Sequence, residues 1–512
     1  MLVKVKSGAN IGLEMVEVDV EVNVASRGLP GFDIVGLPDK AVAESRERVK
    51  TAIQSSKVEF PNRKITVNLA PADIPKEGVS YDLPIAAGIL AIEAGCEIPK
   101  NSLFFGELSL DGSLRHTKGT FLLALFAKEK GFENIFVPKD STAEASIIRS
   151  INVYPVENLK QLLRHFSGRE AIVAEARPPQ VADDGHSQAE FDMVEILGQE
   201  QAKRAMEIAA AGGHNILMVG SPGSGKTMLA RALPGILPQL SEEESLETTK
   251  IYSAAGQIPA GSSLIIIPPF RAPHHSASAV GLIGGGAKPS PGEISLAHRG
   301  VLFLDEFNEF PRYVLETLRQ PLEDGHLTIA RAKERVRYPA RFMLVASANP
   351  CPCGYLNHPK KRCICSIRQI KKYQKRVSGP ILDRIDIHVS VPPVDLKELS
   401  ENQKLSLSLE QSKVIRDRVM KARLVQHQRF LGDKIFINAE MQNTHIKKYC
   451  KLPKEAEQIL QQASVKFQLS ARAYLKMIKV ARTIADLEGA ENIGLNHMAE
   501  ALQYRPKEYE TA

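Results

Sequence analysis

The segment Val16-Glu17-Val18-Asp19-Val20-Glu21-Val22-Asn23-Val24 alternates apolar and polar residues with a period of two, which predicts a half-buried strand. Ala41 to Ser55 carries its apolar residues at helical spacing, and Leu103 to Leu110 and Ile135 to Pro138 predict further strands. Residues 1–168 therefore read as a mixed α/β domain. Residues 169–190 contain Pro178-Pro179 and Asp183-Asp184-Gly185 with few large apolar groups, the composition of a linker. A second α/β unit spans 191–395. Residues 396–512 are helical in pattern and rich in Lys, Gln, Leu and Ala. The longest apolar runs, such as Ile85 to Ile92, fall far short of the about 20 residues a membrane span requires.

Composition narrows this picture only slightly. With 512 residues the chain needs several domains, and 43% hydrophobic and 24% charged residues are ordinary for a globular protein. The net charge of +7 is too dilute to assign a partner, so the placement of charge matters more. Met1-Leu2-Val3-Lys4-Val5-Lys6 has no apolar core of a signal peptide, and a cytoplasmic protein with no membrane association is expected.

Chemistry first enters at Gly220-Ser221-Pro222-Gly223-Ser224-Gly225-Lys226-Thr227, which has the form G-x-x-x-x-G-K-[ST]. An apolar strand, Asn215 to Val219, precedes it and a helical segment, Met228 to Ala232, follows, which is the context this phosphate-binding loop needs. The glycines let backbone N–H groups turn toward phosphates, and the helix N-terminus adds its dipole. Lys226 is expected to reach the β- and γ-phosphates of ATP, and Thr227 to ligate Mg²⁺. Downstream, the apolar run Gly300 to Leu304 ends in Asp305-Glu306, placed to hold Mg²⁺ and to polarise the attacking water respectively. A third apolar run, Phe342 to Ala348, ends at Asn349, whose amide suits the γ-phosphate or the water.

The order of loop, acidic strand and Asn-ended strand resembles that of AAA+ ATPases. The finer wording resembles the ComM/YifB family of magnesium-chelatase-like proteins. It lies in Glu195-Ile196-Leu197-Gly198-Gln199, Phe270 to Ser276, Gly284-Gly285-Gly286, Pro291 to His298 and Leu382-Asp383-Arg384-Ile385-Asp386. The resemblance implies a homo-oligomeric ring, a hexamer, with ATP at subunit interfaces. It puts Ile196 and Leu197 with the nucleotide, makes Arg384 a finger into the neighbour's site, and gives Arg472 of Ser470-Ala471-Arg472-Ala473 a sensor role toward the γ-phosphate. Whether Arg472 acts in its own subunit or across the interface stays open.

Cys351-Pro352-Cys353 and Cys363-Ile364-Cys365 can close a tetrahedral four-thiolate Zn²⁺ site, which would be structural because no position is left for water. Reduced, unliganded thiols are the alternative, and His358 is a substitute ligand. The cluster adjoins Lys360, Lys361, Arg362, Arg368, Lys371, Lys372, Lys375 and Arg376, with no acid among them. This suits a phosphate-backbone contact, or else a solvated basic face. Phe270 to Lys288, with its glycine tip and His274-His275, suits a mobile loop facing a pore. Alternation would put Arg331, Lys333, Arg335 and Arg337 on one face of a strand, a DNA contact or else an exposed strand face; the segment resembles the hairpin inserted before the first sensor in this AAA+ branch, which in related ring helicases grips DNA.

Pro71 to Ser80, Gly106 to Gly112 and Phe136 to Lys139 are similar to Lon-type proteases, with Ser80 at the serine position. That chemistry needs a lysine as base, and the corresponding position holds Phe121, three residues beyond Lys118. The resemblance therefore implies a Lon-protease-like domain without peptidase activity, kept for assembly or DNA contact as in RadA-type recombination proteins. The expected fold class is α/β: a Lon-protease-like domain, a P-loop AAA+ domain and a C-terminal helical lid. The expected function is a DNA-dependent ATPase and helicase promoting branch migration in homologous recombination and natural transformation, in company with recombination proteins. A chelatase-type remodelling subunit and an ATP-switched DNA-binding protein are the alternatives.

Overall fold

The computed structural model describes residues 1–27, 29–175, 189–258, 264–286, 290–330, 335–393, 410–433 and 435–505. They divide into two compact units. The first comprises Met1–Ala182 with Glu242–Ile265 and Ala330–Tyr338; the second holds the remainder.

The first unit is built on a seven-stranded mixed sheet in the order Gly31–Val35, Lys64–Ala70, Glu14–Val24, Leu2–Ile11, Ser102–Phe104, Asn134–Pro138, Asn152–Val156. The alternating segment forms the strand Glu14–Val24, and Val18, Val20, Val22 and Val24 are buried as its period requires. The helix Lys40–Ser55 begins at Asp39, whose carboxylate accepts from the Val42 N–H. The helix Asp82–Ala94 is apolar almost all round and buried through Ala91. The expected strand over Leu103 to Leu110 divides in two. Ser102–Phe104 joins the sheet, while Glu107–Leu108 pairs with Leu114–Arg115. The break falls at Gly106, whose N–H donates to Ser80 O at 2.9 Å and whose carbonyl accepts from Leu83 N–H at 3.0 Å. Helix Glu242–Ala255 lies in this unit because Leu246, Ala254, Ile258 and Leu264 pack on the cluster of Leu123, Phe126 and Ile148.

An ion pair in this unit has a fully buried carboxylate. Asp82 is fully enclosed, and Arg48 grips it with Nε at 2.8 Å and Nη2 at 3.1 Å. Burial pushes the Asp82 carboxyl up, and Arg48 opposes this. An Arg48→Ala chain is expected to lose about 3–5 kcal/mol of stability in chemical denaturation, because an unpaired buried carboxylate remains. Adding Asp82→Asn should recover part of it.

The second unit has a parallel five-stranded sheet in the order Phe270–Arg271, Val301–Leu304, Met343–Ala348, Ile216–Gly220, Ile387–Val391. Its central strands are largely apolar because both faces are covered. Ile216, Met218, Val301, Phe303, Met343 and Val345 face one core, shared with helices Glu200–Gly212, Ser412–Arg429 and Ala471–Leu487. Leu217, Val219, Leu302, Leu304, Leu344 and Ala346 face another with Phe307, Leu318 and Ile381. The C-terminal helices thus finish the core of the sheet. No helix among the described residues is long and apolar enough to cross a membrane.

Candidate nucleotide and metal sites

Three adjacent strands of the second unit end at the same edge of the sheet. Ile216–Gly220 runs into the phosphate-binding loop, Val301–Leu304 into Asp305-Glu306, and Met343–Ala348 into Asn349. Parallel strands deliver their C-terminal ends together, which brings residues 78 and 123 positions apart into contact. Thr227 Oγ1 donates to Asp305 Oδ2 at 2.9 Å, and Lys226 Nζ lies 3.4 Å from Asn349 Oδ1.

Lys226 opens the helix Lys226–Ala232, and its Nζ donates to the Gly220 and Ser221 carbonyls at 2.8 Å each. Burial lowers its pKa, and Asp305 and Glu306 oppose that shift. Gly223 and Gly225 adopt left-handed backbone with φ of 76° and 90°. The hydroxyl of Ser221 is buried without a partner, so the loop carries polar capacity directed inward. Ser224 is buried as well, and Pro222 is exposed. A triphosphate with Mg²⁺ fits this set: glycine-turned backbone, one ammonium, and a hydroxyl and carboxylate converging on one point.

Several residues of this centre were not assigned roles from the sequence. Ser347 Oγ donates to Asp305, and the Glu306 N–H donates to Asp305 Oδ1 at 3.0 Å and to Ser347 Oγ at 3.3 Å. A serine inside an otherwise apolar strand was the available signal. Gln199 Nε2 donates to Ser224 O at 3.3 Å and Pro392 O at 2.5 Å, tying the loop to the end of the neighbouring strand. Glu306 stands in left-handed backbone with φ 51°, and His275 Nδ1 lies 3.3 Å from its carboxylate. His275 thus stands beside the proposed water-polarising acid, and the His274 ring packs against it with centroids 4.0 Å apart and planes tilted by 35°. Ile196 is buried in the core, and Leu197 is half-buried beside it.

Arg384 and Arg472 converge on one carboxylate. Glu323 takes Arg384 Nη2, and its Oε1 accepts from Arg472 Nη2 at 2.6 Å. Arg384 Nη1 donates to Pro380 O at 2.7 Å. Neither Asp383 nor Asp386, its sequence neighbours, takes the Arg384 guanidinium. Asp386 is turned inward, where the Asn215 N–H donates to it at 3.1 Å and Lys476 lies at 3.2 Å. Burial would raise its carboxyl, but Lys476 and His214 hold it below the usual carboxylate range. Lys476 also donates to Asp383 O at 2.6 Å and Ile385 O at 3.1 Å, and Asn215 Nδ2 donates to Arg384 O at 3.0 Å. The backbone carrying Arg384 is therefore clamped on both sides.

The sulfurs of Cys351, Cys353, Cys363 and Cys365 all lie within 4.8 Å of one another. Cys351 Sγ is 3.4 Å from Cys353 Sγ and 3.7 Å from Cys363 Sγ. Four thiols gathered this closely suit one soft or borderline metal ion. His358 is no part of the group; its Nδ1 accepts from the Lys360 and Lys361 N–H groups at 3.0 Å. Beyond the cluster, Lys360, Lys361, Arg362, Arg368, Lys371 and Lys372 are exposed, and helix Ile367–Gln374 buries only Ile370 and Tyr373. Arg376 leaves the basic set, since Glu309 holds it at 2.7 Å. Arg335 and Arg337 are exposed on the strand Arg335–Pro339, which pairs with His326–Ala330. Arg331 and Lys333, the other two residues of the expected basic face, lie outside the described residues.

In the first unit Phe121 is fully buried among Leu122, Leu123 and Ile148. Lys76, four residues before Ser80, is buried and donates through Nζ to the Pro71 carbonyl. Lys118 lies over Gly256.

Comparison with known proteins accounts for the pattern. Three family descriptions match in order: "Subunit ChlI of Mg-chelatase" over residues 20–141, "Magnesium chelatase, subunit ChlI" over 192–399, and "Magnesium chelatase, subunit ChlI C-terminal" over 409–505. The chain is 42% identical to "Competence protein ComM" of Haemophilus influenzae over 98% of its own length and 97% of that protein. It is 41% identical to "Uncharacterized protein YifB" of Escherichia coli over 98% of the chain and 96% of that protein. This chain belongs to the ComM/YifB family of magnesium-chelatase-like AAA+ proteins. The "Magnesium-chelatase 38 kDa subunit" of Cereibacter sphaeroides is more distant: 28% identical over 31% of the chain and 53% of that subunit. Membership of this AAA+ family implies ATP and Mg²⁺.

Proposed function

We propose that this protein is a ring-forming, DNA-stimulated ATPase that drives branch migration during recombination. The single observation carrying this reading is the basic thiol-bound segment. Lys360, Lys361, Arg362, Lys371 and Lys372 stand exposed on a segment rooted directly after Asn349, so the strand end expected to sense the γ-phosphate leads into the cations that would touch DNA. Support also comes from near full-length similarity to a protein named for competence.

In this reading Lys226 and Thr227 bind Mg·ATP, Asp305 holds the metal and Glu306 polarises water, with Asn349 and Arg472 reporting on the γ-phosphate. Gly220 to Gly225 wrap the phosphates, with Ile196 and Leu197 near the base. Arg384 enters the site of the next subunit of a hexamer. Arg335 and Arg337, with Arg331 and Lys333, make the second DNA contact. The domain scheme is a Lon-protease-like domain over 1–168 with no lysine for Ser80, a linker over 169–190, the ATPase over 191–395 and a helical lid over 396–512. The place of action is the cytoplasm, beside recombination proteins.

The test is ATP hydrolysis with and without single-stranded and branched DNA across a salt series. Stimulation should fall steeply as salt rises, since phosphate contacts release counterions. Replacing Lys371 and Lys372 by Ala should weaken DNA binding at every sequence and flatten the salt dependence. Hydrolysis indifferent to DNA would sink the reading. A chelatase role is less favoured because the 38 kDa chelatase subunit of Cereibacter sphaeroides is 28% identical over 31% of the chain, against 42% over 98% for the competence protein.

A further inference from the structure

The four-cysteine cluster stands against the nucleotide edge. Cys351 is two residues beyond Asn349, and Pro350 between them is held by Gln374 Nε2, which donates to its carbonyl at 3.2 Å. The turn from Cys351 to Gly354 closes with Gly354 N–H donating to Cys351 O at 2.9 Å. Gly354, with φ 81°, then backs directly onto the phosphate-binding loop. A Cβ added there would lie 2.4 Å from Pro222 Cδ and 2.7 Å from Pro222 Cγ. Contact this close is possible only for glycine, and Pro222 is a stiff residue in the middle of the loop that cradles phosphate. Asn349 meets Lys226 from the other side at 3.4 Å. One short segment, Asn349 to Gly354, therefore touches the loop at two points, and its shape depends on Cys351 and Cys353, whose sulfurs meet those of Cys363 and Cys365.

We infer that the cluster is a metal site whose occupancy sets the geometry of the ATP site: a divalent zinc-class ion bound by the four thiolates fixes the Cys351–Gly354 turn, which seats Pro222 and aims Asn349. Without a metal the sulfurs take up protons, and four thiols have only weak S–H contacts in place of metal bonds to hold the turn. Proximity effects are steep enough for a displacement of about 1 Å in a positioning element to cost on the order of 10²-fold in rate. Cys351, Cys353, Cys363, Cys365, Gly354 and Pro222 thus act as positioning residues for nucleotide hydrolysis. The inference rests on the loop's binding ATP and not on any role of DNA.

The experiment measures metal content, basal ATP hydrolysis without DNA, and affinity for a fluorescent ATP analogue. It uses the full-length protein as purified, the protein stripped with an organomercurial and then treated with thiol and chelator, and the stripped protein given Zn²⁺. The purified protein is expected to hold one metal per chain. Stripping should lower hydrolysis at least tenfold with the helical circular dichroism retained, and Zn²⁺ should restore it. Gly354→Ala separates positioning from local folding: it keeps all four thiols and should keep the metal, yet push on Pro222 and weaken analogue binding by about tenfold or more. Full-rate hydrolysis by the stripped protein, failure of the cluster to take up zinc, or a metal-loaded Gly354→Ala chain with native affinity and rate would each overturn the inference. Lys226→Ala in parallel tests the loop itself; a native rate there would remove the nucleotide reading instead.

Discussion

An Arg384→Ala chain is expected to hydrolyse ATP about 10³-fold more slowly than the native protein while binding nucleotide normally. The expectation comes from how the residue is held. Lys476 grips the carbonyls on either side of it, Asn215 takes its own carbonyl, and Asp386 is anchored inward by His214, Asn215 and Lys476. That rigidity leaves the guanidinium on Glu323 and Pro380 O, with no partner in the phosphate-binding loop. A guanidinium so presented serves a neighbouring site best, where it would balance charge on the transferring phosphoryl group. Mixing Arg384→Ala with Lys226→Ala chains should then recover activity. Wherever the loop comes from an Arg384→Ala subunit and the arginine from a Lys226→Ala subunit, both are native; the reverse order carries both defects. A mixture no more active than its separate components would end the intersubunit role. Glu323→Gln, which frees both Arg384 and Arg472, should change the rate and leave nucleotide affinity alone.

Glu306→Gln is the second large effect. Glu306 is half exposed at the strand end, with backbone in the left-handed region and its N–H spent on Asp305 and Ser347. Its carboxylate is half exposed, with His275 Nδ1 at 3.3 Å, and so can reach solvent water. Losing a general base costs about 10²- to 10⁴-fold, so the chain should bind Mg·ATP tightly and turn it over at that reduced rate. Single-turnover hydrolysis with labelled ATP reads this directly. Nucleotide release as fast as in the native protein, with hydrolysis undiminished, would move the base elsewhere. His275, at 3.3 Å from Glu306, is the next place to look.

Much of this centre was legible in the chain because the residues that carry it are local words. The glycine-rich loop, the acids after Val301–Leu304 and the amide after Met343–Ala348 each sit at the C-terminal end of a short apolar run. A parallel sheet must bring such ends to one edge. The four thiols were legible for the same reason, as two C-x-C pairs close in sequence. Residues that work through partners far along the chain were not. Glu323 bears no motif, and its role exists only because the helix Arg319–Asp324 lies beside both Arg384 and Arg472. Gln199 and Ser347 are ordinary polar residues until the fold sets them against Ser224 and Asp305. The strand expected over Leu103 to Leu110 failed at Gly106, where hydrogen bonds to Ser80 and Leu83 outcompeted the sheet.

The sequence by itself determined the α/β class, the glycine-rich loop motif between an apolar strand and a helix, and the clustering of the thiols. All of these follow from residue type and short-range spacing. The tertiary structure alone decided that Glu242–Ala255 packs with the first unit, that Asp386 is an anchor and Arg384 is held out on Glu323, and that Gly354 rests on Pro222. Burial and close approach between distant segments depend on how the whole chain fills its cores, and no local pattern of hydrophobic and polar residues encodes which two surfaces will meet.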